Sequence, residues 1–310
     1  QSATNTITFD GGNGNAATRI LSFRVTSSIA PYVVRVNGTG NIIFRNLTIN
    51  NSNTSNTGGM SNIYLYNATN VRISRCIIGD STTSVPFSFN TSALLYRVTI
   101  SGHPTTPTTA ATICDNIFID SNTINWGYYG VFAAVNNGIS KVFVRGNYFD
   151  KPYLSGVYFQ GGASIAKVLN NTVRGRTFGT WTLGNYGIWM QNTPAVTDFN
   201  DISGNRMDSL TGWGIYNIVS GAATNYNVIS NNMMSGFMSG SYPGIFNSAS
   251  YVKVYHNSIS FDFPGASTSA CFQQSGGSAG TIDVRNNIFA VTNNLLTGAV
   301  PFLTSSATPI

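Results

Sequence analysis

Ten short segments of this 310-residue chain share one six-residue pattern, and that repeat leaves few folds open. It consists of an apolar anchor, two variable residues, a small or amide residue, one variable residue and a second apolar residue. The first copies are Phe44-Arg-Asn-Leu47-Thr-Ile49, Ile73-Ser-Arg-Cys76-Ile-Ile78 and Leu95-Tyr-Arg-Val98-Thr-Ile100. Later copies are anchored by Ile119, Val144, Val168, Ile202, Ile229, Val254 and Val284. The fourth positions lie 29, 22, 24, 25, 24, 34, 27, 25 and 30 residues apart. A period in the twenties with short alternating apolar runs describes one turn of a β-solenoid per repeat. Stacked at about 4.8 Å per turn, such coils make a parallel sheet wound around a narrow core.

Composition agrees. Charged residues are 8% of the chain, against about 25% in a typical soluble domain. All ten acids are aspartates, there are four lysines, and 37 residues are asparagine. Asn, Ser, Thr and Gly favour turns over helix interiors, so exposed helix faces have little to be built from. Helical bundles, coiled coils and doubly wound α/β folds are excluded on that ground. The expected fold is all-β: a single-domain right-handed parallel β-helix of about ten coils. Residues 1–40 are expected as an N-terminal cap, 41–290 as the β-helix, and 291–310 as a C-terminal cap or lead-out.

The fourth position of the repeat carries a second message. It is Leu47, Cys76 and Val98 at first, then Asn122, Asn147, Asn171, Asn205, Asn232, Asn257 and Asn287. An inward asparagine at a corner bonds the asparagines above and below it and the turned backbone, forming an amide ladder. A second template recurs between anchors: Tyr129-Gly-Val-Phe132, Ser155-Gly-Val-Tyr158, Tyr186-Gly-Ile-Trp189, Trp213-Gly-Ile-Tyr216, Pro243-Gly-Ile-Phe246 and Ser269-Ala-Cys-Phe272. It reads as another strand of each coil. If its aliphatic residues point inward, alternation sends Phe132, Tyr158, Trp189, Tyr216 and Phe246 outward as a stripe of rings. Exposed apolar stripes mark binding or association surfaces, so these five are the candidate ligand-binding residues.

These repeats resemble the parallel β-helix repeat family, the right-handed pectate-lyase-like superfamily, over about residues 41–290. The segments VISNNMMSGF, VYHNSISF and VRNNIFA are similar to surface and secreted β-helix proteins of Bacteroidetes-type bacteria, commonly type IX secretion cargo. The resemblance implies an extracellular, cell-surface location. The family also includes polysaccharide lyases and hydrolases, so their chemistry is the test to apply.

A lyase needs a base and often Ca2+ held by clustered carboxylates, and a hydrolase needs two carboxylates about 5 to 9.5 Å apart. In repeat register Asp150, Arg174 and Asp208 stand on consecutive coils and are the weak catalytic candidates. The arginine between the two acids argues for a structural ladder. Register also places Lys167 below Asp201, Lys253 below Asp283 and Asp120 below Arg145, as ion pairs on an outer face. His103 and His256 lie far apart in register, with no carboxylate or serine partner. No metal site is read, and Ca2+ is the one cofactor that acidic-polysaccharide chemistry would ask for.

The net charge of +6 comes from few acids and not from a basic patch, the tightest clusters being Arg72/Arg75 and Arg174/Arg176. Nucleic-acid binding is therefore not expected. No run approaches the roughly 18 apolar residues of a membrane span, and the first residues lack the features of a signal peptide. Cys76, Cys114 and Cys271 are read as buried small hydrophobes. Three functional readings stay open. The first is a non-catalytic stalk or adhesin module that binds a polysaccharide or a cell-surface protein. The others are a carbohydrate-active lyase or hydrolase relative, and a filament subunit that associates end to end.

Overall fold

The computed structural model describes residues 5–12, 21–25, 32–51, 60–79, 95–102, 108–112, 114–136, 139–162, 164–176, 185–192, 194, 197–238, 242–262, 270–278, 281–292 and 299–304. These form a parallel β-helix of ten coils, each with three strands. The second strands make one ten-stranded sheet. The first and third strands make the other, in which Tyr32–Arg45 and Met60–Ser74 each run on from one coil into the next. All named pairings between coils are parallel, and the register shifts only where Tyr32–Arg45 meets Met60–Ser74, between Asn37 and Ile42.

Three apolar columns fill the interior. Phe9, Phe44, Ile73, Ile119, Val144, Val168, Ile202, Ile229, Val254 and Val284 stack along the first strands. Phe23, Ile49, Ile78, Ile124, Phe149, Val173, Met207, Met234, Ile259 and Phe289 stack along the second. Val34, Ile63, Val98, Val131, Val157, Ile188, Ile215, Ile245, Phe272 and Phe302 stack along the third. In the central coils these side chains are fully buried. Burying one such side chain is worth about 1.5–3 kcal/mol, so every coil adds several.

Two sequence assignments are corrected by this register. Leu95-Tyr-Arg-Val98-Thr-Ile100 is not an anchor copy: Leu95–Ser101 is the third strand of coil 3 and runs straight through Val98. Apolar residues at i, i+3 and i+5 mimic the motif, but the bend at the fourth position is missing. The tenth anchor is Phe9, stacked on Phe44 with ring centroids 5.2 Å apart. The Ser269-Ala-Cys-Phe272 copy is shifted by one residue, because Phe272 pairs with Ile245 and is buried in the core. A one-residue slip exchanges the two faces of a strand. The segments 1–40 and 291–310 also contribute rungs. Thr6–Asp10 pairs with Asn41–Arg45, Ser22–Val25 with Thr48–Asn51, and Val300–Thr304 with Ala270–Gln274.

The corner between first and second strands is built from two adjacent columns. The third motif position takes a left-handed φ of 53° to 70° at Arg75, Ser121, Gly146, Asn170, Gly204, Asn231, His256 and Asn286, as does Asn46 at 55°. Asn and Gly tolerate that region best, which explains their density there and gives His256 a structural place. The next residue is the ladder asparagine. Asn122, Asn147, Asn171, Asn205, Asn232 and Asn257 are buried, and Asn287 is half-buried. Each Nδ2 donates to the anchor carbonyl one coil below, as Asn147 does to Ile119 (2.8 Å) and Asn171 to Val144 (2.8 Å). From Asn147 onward each Oδ1 accepts both the backbone N–H and the Nδ2–H of the preceding asparagine, at 2.8–3.0 Å throughout.

The ladder stops at Cys76, whose N–H still donates to Asn122 Oδ1 at 2.9 Å. The Cys76 thiol lies 3.3 Å from the Ser74 carbonyl and 3.7 Å from the Phe44 carbonyl, the group to which an amide here would donate. Cys76→Asn is therefore expected to lengthen the ladder by one rung and to stabilise the fold by about 1 kcal/mol. A raised midpoint in urea denaturation checks it, and a lowered midpoint contradicts it.

Candidate functional site

The charged column lies on the outer side of the second strands. Asp150, Arg174 and Asp208 are direct neighbours on coils 5, 6 and 7, while Phe149, Val173 and Met207 beside them turn inward. Arg174 is fully exposed. Its pKa is raised, first by a hydrogen bond with Tyr148 and then by the nearby Tyr148, Asp150 and Asp208 charges. The Tyr148 hydroxyl also reaches Asp150 Oδ1 at 3.4 Å, and Lys151 Nζ lies 3.9 Å from Asp150 Oδ2. The carboxylates are two rungs apart, about 9.6 Å, with a guanidinium between them. Alternating charge at this spacing is the arrangement of a cross-strand ladder.

Of the three outer-face pairs read from register, one forms as read. Arg145 clamps Asp120 through Nε and Nη2, both at 2.9 Å. Lys167 instead reaches Asp198 at 3.0 Å and the Phe199 carbonyl at 2.7 Å, because the loop after residue 194 brings a nearer carboxylate. Asp283 is held by Arg285 and the Tyr255 hydroxyl, and Lys253 Nζ sits 5.2 Å from the Tyr226 ring.

The aromatic column follows the third strands in the expected register: Phe132, Tyr158, Trp189, Tyr216 and Phe246 neighbour one another coil by coil. Its two ends differ. Phe132 (1% exposed) and Tyr158 (6%) are buried in a second apolar cluster with Tyr96, Tyr129, Tyr153 and Leu154. Burial pushes the Tyr158 phenol up to about 12, and its hydroxyl donates to Gln191 Oε1 at 2.6 Å. Trp189, Tyr216 and Phe246 are half-buried and reach the surface.

A parallel row of rings, Tyr186, Trp213 and Tyr242, flanks the half-buried three, one position before the glycine of each coil or nearby. The two rows interlock. Trp189 stacks on Tyr158 (4.3 Å) and on Tyr186 (4.6 Å), Tyr186 stacks on Trp213 (4.7 Å), and Tyr216 stacks on Phe246 (4.9 Å, 6° between planes). Ring faces that look along the column are thus largely packed on other rings. The indole N–H groups of Trp189 and Trp213 are buried without an acceptor among the described residues.

Three features had no reading from the sequence. A second amide stack runs from Asn217 to Asn247 (2.7 Å) to Gln274 (2.8 Å) on the third strands. Its signal was an Asn after the outward aromatic in IYN and IFN. Arg176 is buried over Trp126 (4.7 Å) and Tyr153 (5.1 Å), and desolvation lowers its pKa to about 10. A shallow cavity of about 320 Å³ lies beside the first coils, lined by Thr6, Asn41, Asn70, Arg72, Asn116 and Phe118. Cys76, Cys114 and Cys271 are buried, and burial raises the Cys114 and Cys271 thiols to about 11 and about 12. Among the described residues no three His, Cys, Asp or Glu side chains gather as a metal cluster. No helix of the described residues is long and apolar enough to cross a membrane. His103 lies outside the described residues.

No curated protein and no solved structure matches the chain. A family model described as "Right handed beta helix region" matches residues 7–178, more than half of the chain. Those residues include the first six coils up to the second strand of the sixth, and the stacked parallel strands continue unbroken through the remaining four. On the repeat, the register and this match, the chain belongs to the right-handed β-helix family.

Proposed function

We propose that the chain is a rigid, non-catalytic module of a secreted bacterial surface protein, and that it holds another protein along the Trp189–Tyr216–Phe246 strip. The observation that carries this reading is the strip itself. Three half-exposed aromatic residues stand on consecutive coils of a stiff scaffold, about 4.8 Å apart, and exposed aromatic rows are typical of association surfaces. Tyr216 and Phe246 stack on each other and Trp189 is covered by Tyr158 and Tyr186. A sugar ring stacks on an aromatic face, whereas a protein surface can pack against edges, so a protein partner fits better than a glycan. The secreted location rests on the resemblance of the repeats to surface β-helix proteins. In the Asp150–Arg174–Asp208 column a guanidinium stands between the two carboxylates, which favours a structural ladder over the paired acids of a lyase or hydrolase.

The test is binding to arrays of cell-surface proteins and of glycans, with and without Ca2+, for the wild type beside Trp189→Ala/Tyr216→Ala. The expected result is a protein ligand whose binding falls at least tenfold in the double variant, with the β-sheet circular dichroism unchanged. Sugar binding lost in the double variant would replace the protein partner by a glycan. Release of product from any polysaccharide would overturn the non-catalytic reading.

A further inference from the structure

Six electron-rich rings touch in sequence on the outer side of the rod, along or beside the third strands. From the buried end the path is Tyr129, Tyr158, Trp189, Tyr186, Trp213 and Tyr242. Their centroids are 5.2, 4.3, 4.6, 4.7 and 4.4 Å apart in that order. The path crosses coils 4 to 8, about 19 Å of rod at one 4.8 Å step per coil. Tyr216 joins it at Trp213, 5.0 Å away. All of these are phenols or indoles, side chains from which one-electron oxidants readily take an electron. Electron tunnelling falls off exponentially with the gap, so rings in contact exchange an electron far faster than two proteins meet in solution.

The two ends of the path differ in what they do with a proton. A phenol settles in its oxidised form only after losing its O–H proton. Burial raises the pKa of Tyr129, Tyr158 and Tyr186, the Tyr158 phenol to about 12. The Tyr158 hydroxyl donates to Gln191 Oε1, an amide oxygen that is no base at neutral pH. An electron vacancy therefore does not settle on these three. The Trp189 and Trp213 indoles do not hold it either. Their Nε1–H groups have no acceptor among the described residues. An oxidised indole here keeps its proton, and with it a strong pull on a neighbour's electron. Tyr216 and Tyr242 are half-buried, within reach of water as a proton acceptor.

We propose that this stack is a relay that carries one-electron oxidation from the Trp189 and Trp213 indoles to Tyr216 and Tyr242. A radical oxidant takes one electron from an indole and leaves a radical cation. An electron from Tyr242 or Tyr216 refills the indole, with Tyr186 bridging the two tryptophans, and the phenol proton passes to water. The sum is one reduced oxidant, one phenoxyl radical and one released proton. A small reductant such as ascorbate restores the phenol by giving up a hydrogen atom. Oxidation that strikes the strip is discharged at its surface in this way, without a cofactor and without loss of a ring.

The experiment is pulse radiolysis with azidyl radicals, which oxidise indoles, followed through the absorbance of the indole and phenoxyl radicals. Replacing Trp126 and Trp181 by Phe leaves Trp189 and Trp213 as the remaining tryptophans of the chain. In that background the indole radical is expected to convert to phenoxyl in a first-order step whose rate is independent of protein concentration. Tyr216→Phe/Tyr242→Phe keeps both rings in the stack and is expected to slow the conversion at least tenfold, with the circular dichroism unchanged. If the background variant does not fold, the same comparison with all four tryptophans present reads the same loss of the fast step. Absence of the step overturns the proposal. So does a rate that rises with protein concentration, or a step that Tyr216→Phe/Tyr242→Phe leaves unchanged. The relay works within one chain, so its failure leaves the partner-binding role of the strip untouched.

Discussion

Asn171→Ala is expected to destabilise the protein by about 3–5 kcal/mol, the sum of buried polar groups left without partners. Asn171 sits mid-ladder at 1% exposure. Its amide donates to the Val144 carbonyl and to Asn205 Oδ1, and its Oδ1 accepts the backbone N–H and the Nδ2–H of Asn147. Alanine removes all four bonds and opens a space that the corner backbone cannot close. Each orphaned group costs roughly 1–3 kcal/mol when water cannot reach it. Asn287→Ala supplies the internal control. The corresponding bonds, with the Arg285 carbonyl in place of a further asparagine, are lost at a half-buried end of the ladder where water can replace them, so about 1 kcal/mol is expected. Urea denaturation followed by circular dichroism reads both, and equal losses at the two sites would contradict the ladder's role.

The second large effect is expected at a glycine. Gly130, Gly156 and Gly187 stand second in their third strands and Gly214 and Gly244 just before theirs, and at each the inward residue of the second strand one coil on fills the missing side-chain space. A Cβ on Gly130 would lie 2.4 Å from Phe149 Cδ1 and 2.5 Å from the Gly156 carbonyl oxygen. A stiff ring and a strand backbone both block the methyl, so Gly130→Ala should cost about 3 kcal/mol, the upper end for overpacking. On the next coil the partner is the smaller Val173, and a Cβ on Gly156 would meet the Gly187 oxygen at 2.9 Å and Val173 at 3.0 Å. Gly156→Ala should therefore cost roughly 1 kcal/mol. The order of the two thermal midpoints checks the argument, and the reverse order would sink it.

The fold was legible because its signals are periodic and local. Anchors repeat with each coil, the ladder asparagines from coil 4 onward and the glycine-aliphatic-aromatic template through coils 4 to 8, and nine of the ten anchor copies take the expected place. Leu95-Tyr-Arg-Val98-Thr-Ile100 misled because apolar spacing alone does not encode a bend. The better signal was the residue before the ladder, where Asn, Gly, Ser and His crowd a left-handed position. The ladder was readable in the same way, since an Asn repeated at one inward position has few other uses. The surface was less readable. Alternation gave the side of the sheet on which Phe132 and Tyr158 lie, but of the Tyr96, Tyr129 and Tyr153 rings that bury them only Tyr129 belongs to the recurring template. Lys167 similarly found Asp198, which lies outside the repeat, in place of its register neighbour Asp201.

Stacking of the coils is tested most directly by a distance between two of them. Tyr148, Arg206, Met233 and Ile288 are exposed members of one column on the second strands, with Thr172 and Ser258 between them. Tyr148 and Ile288 are five coils apart, and Tyr148 and Met233 three. Spin labels on Tyr148→Cys/Ile288→Cys and Tyr148→Cys/Met233→Cys, measured by pulsed dipolar spectroscopy, should give narrow distributions near about 24 Å and about 14 Å, one 4.8 Å step per coil. The three native cysteines are buried and should stay unlabelled. A broad distribution, or two pairs that do not differ by about two such steps, would contradict a stacked β-helix.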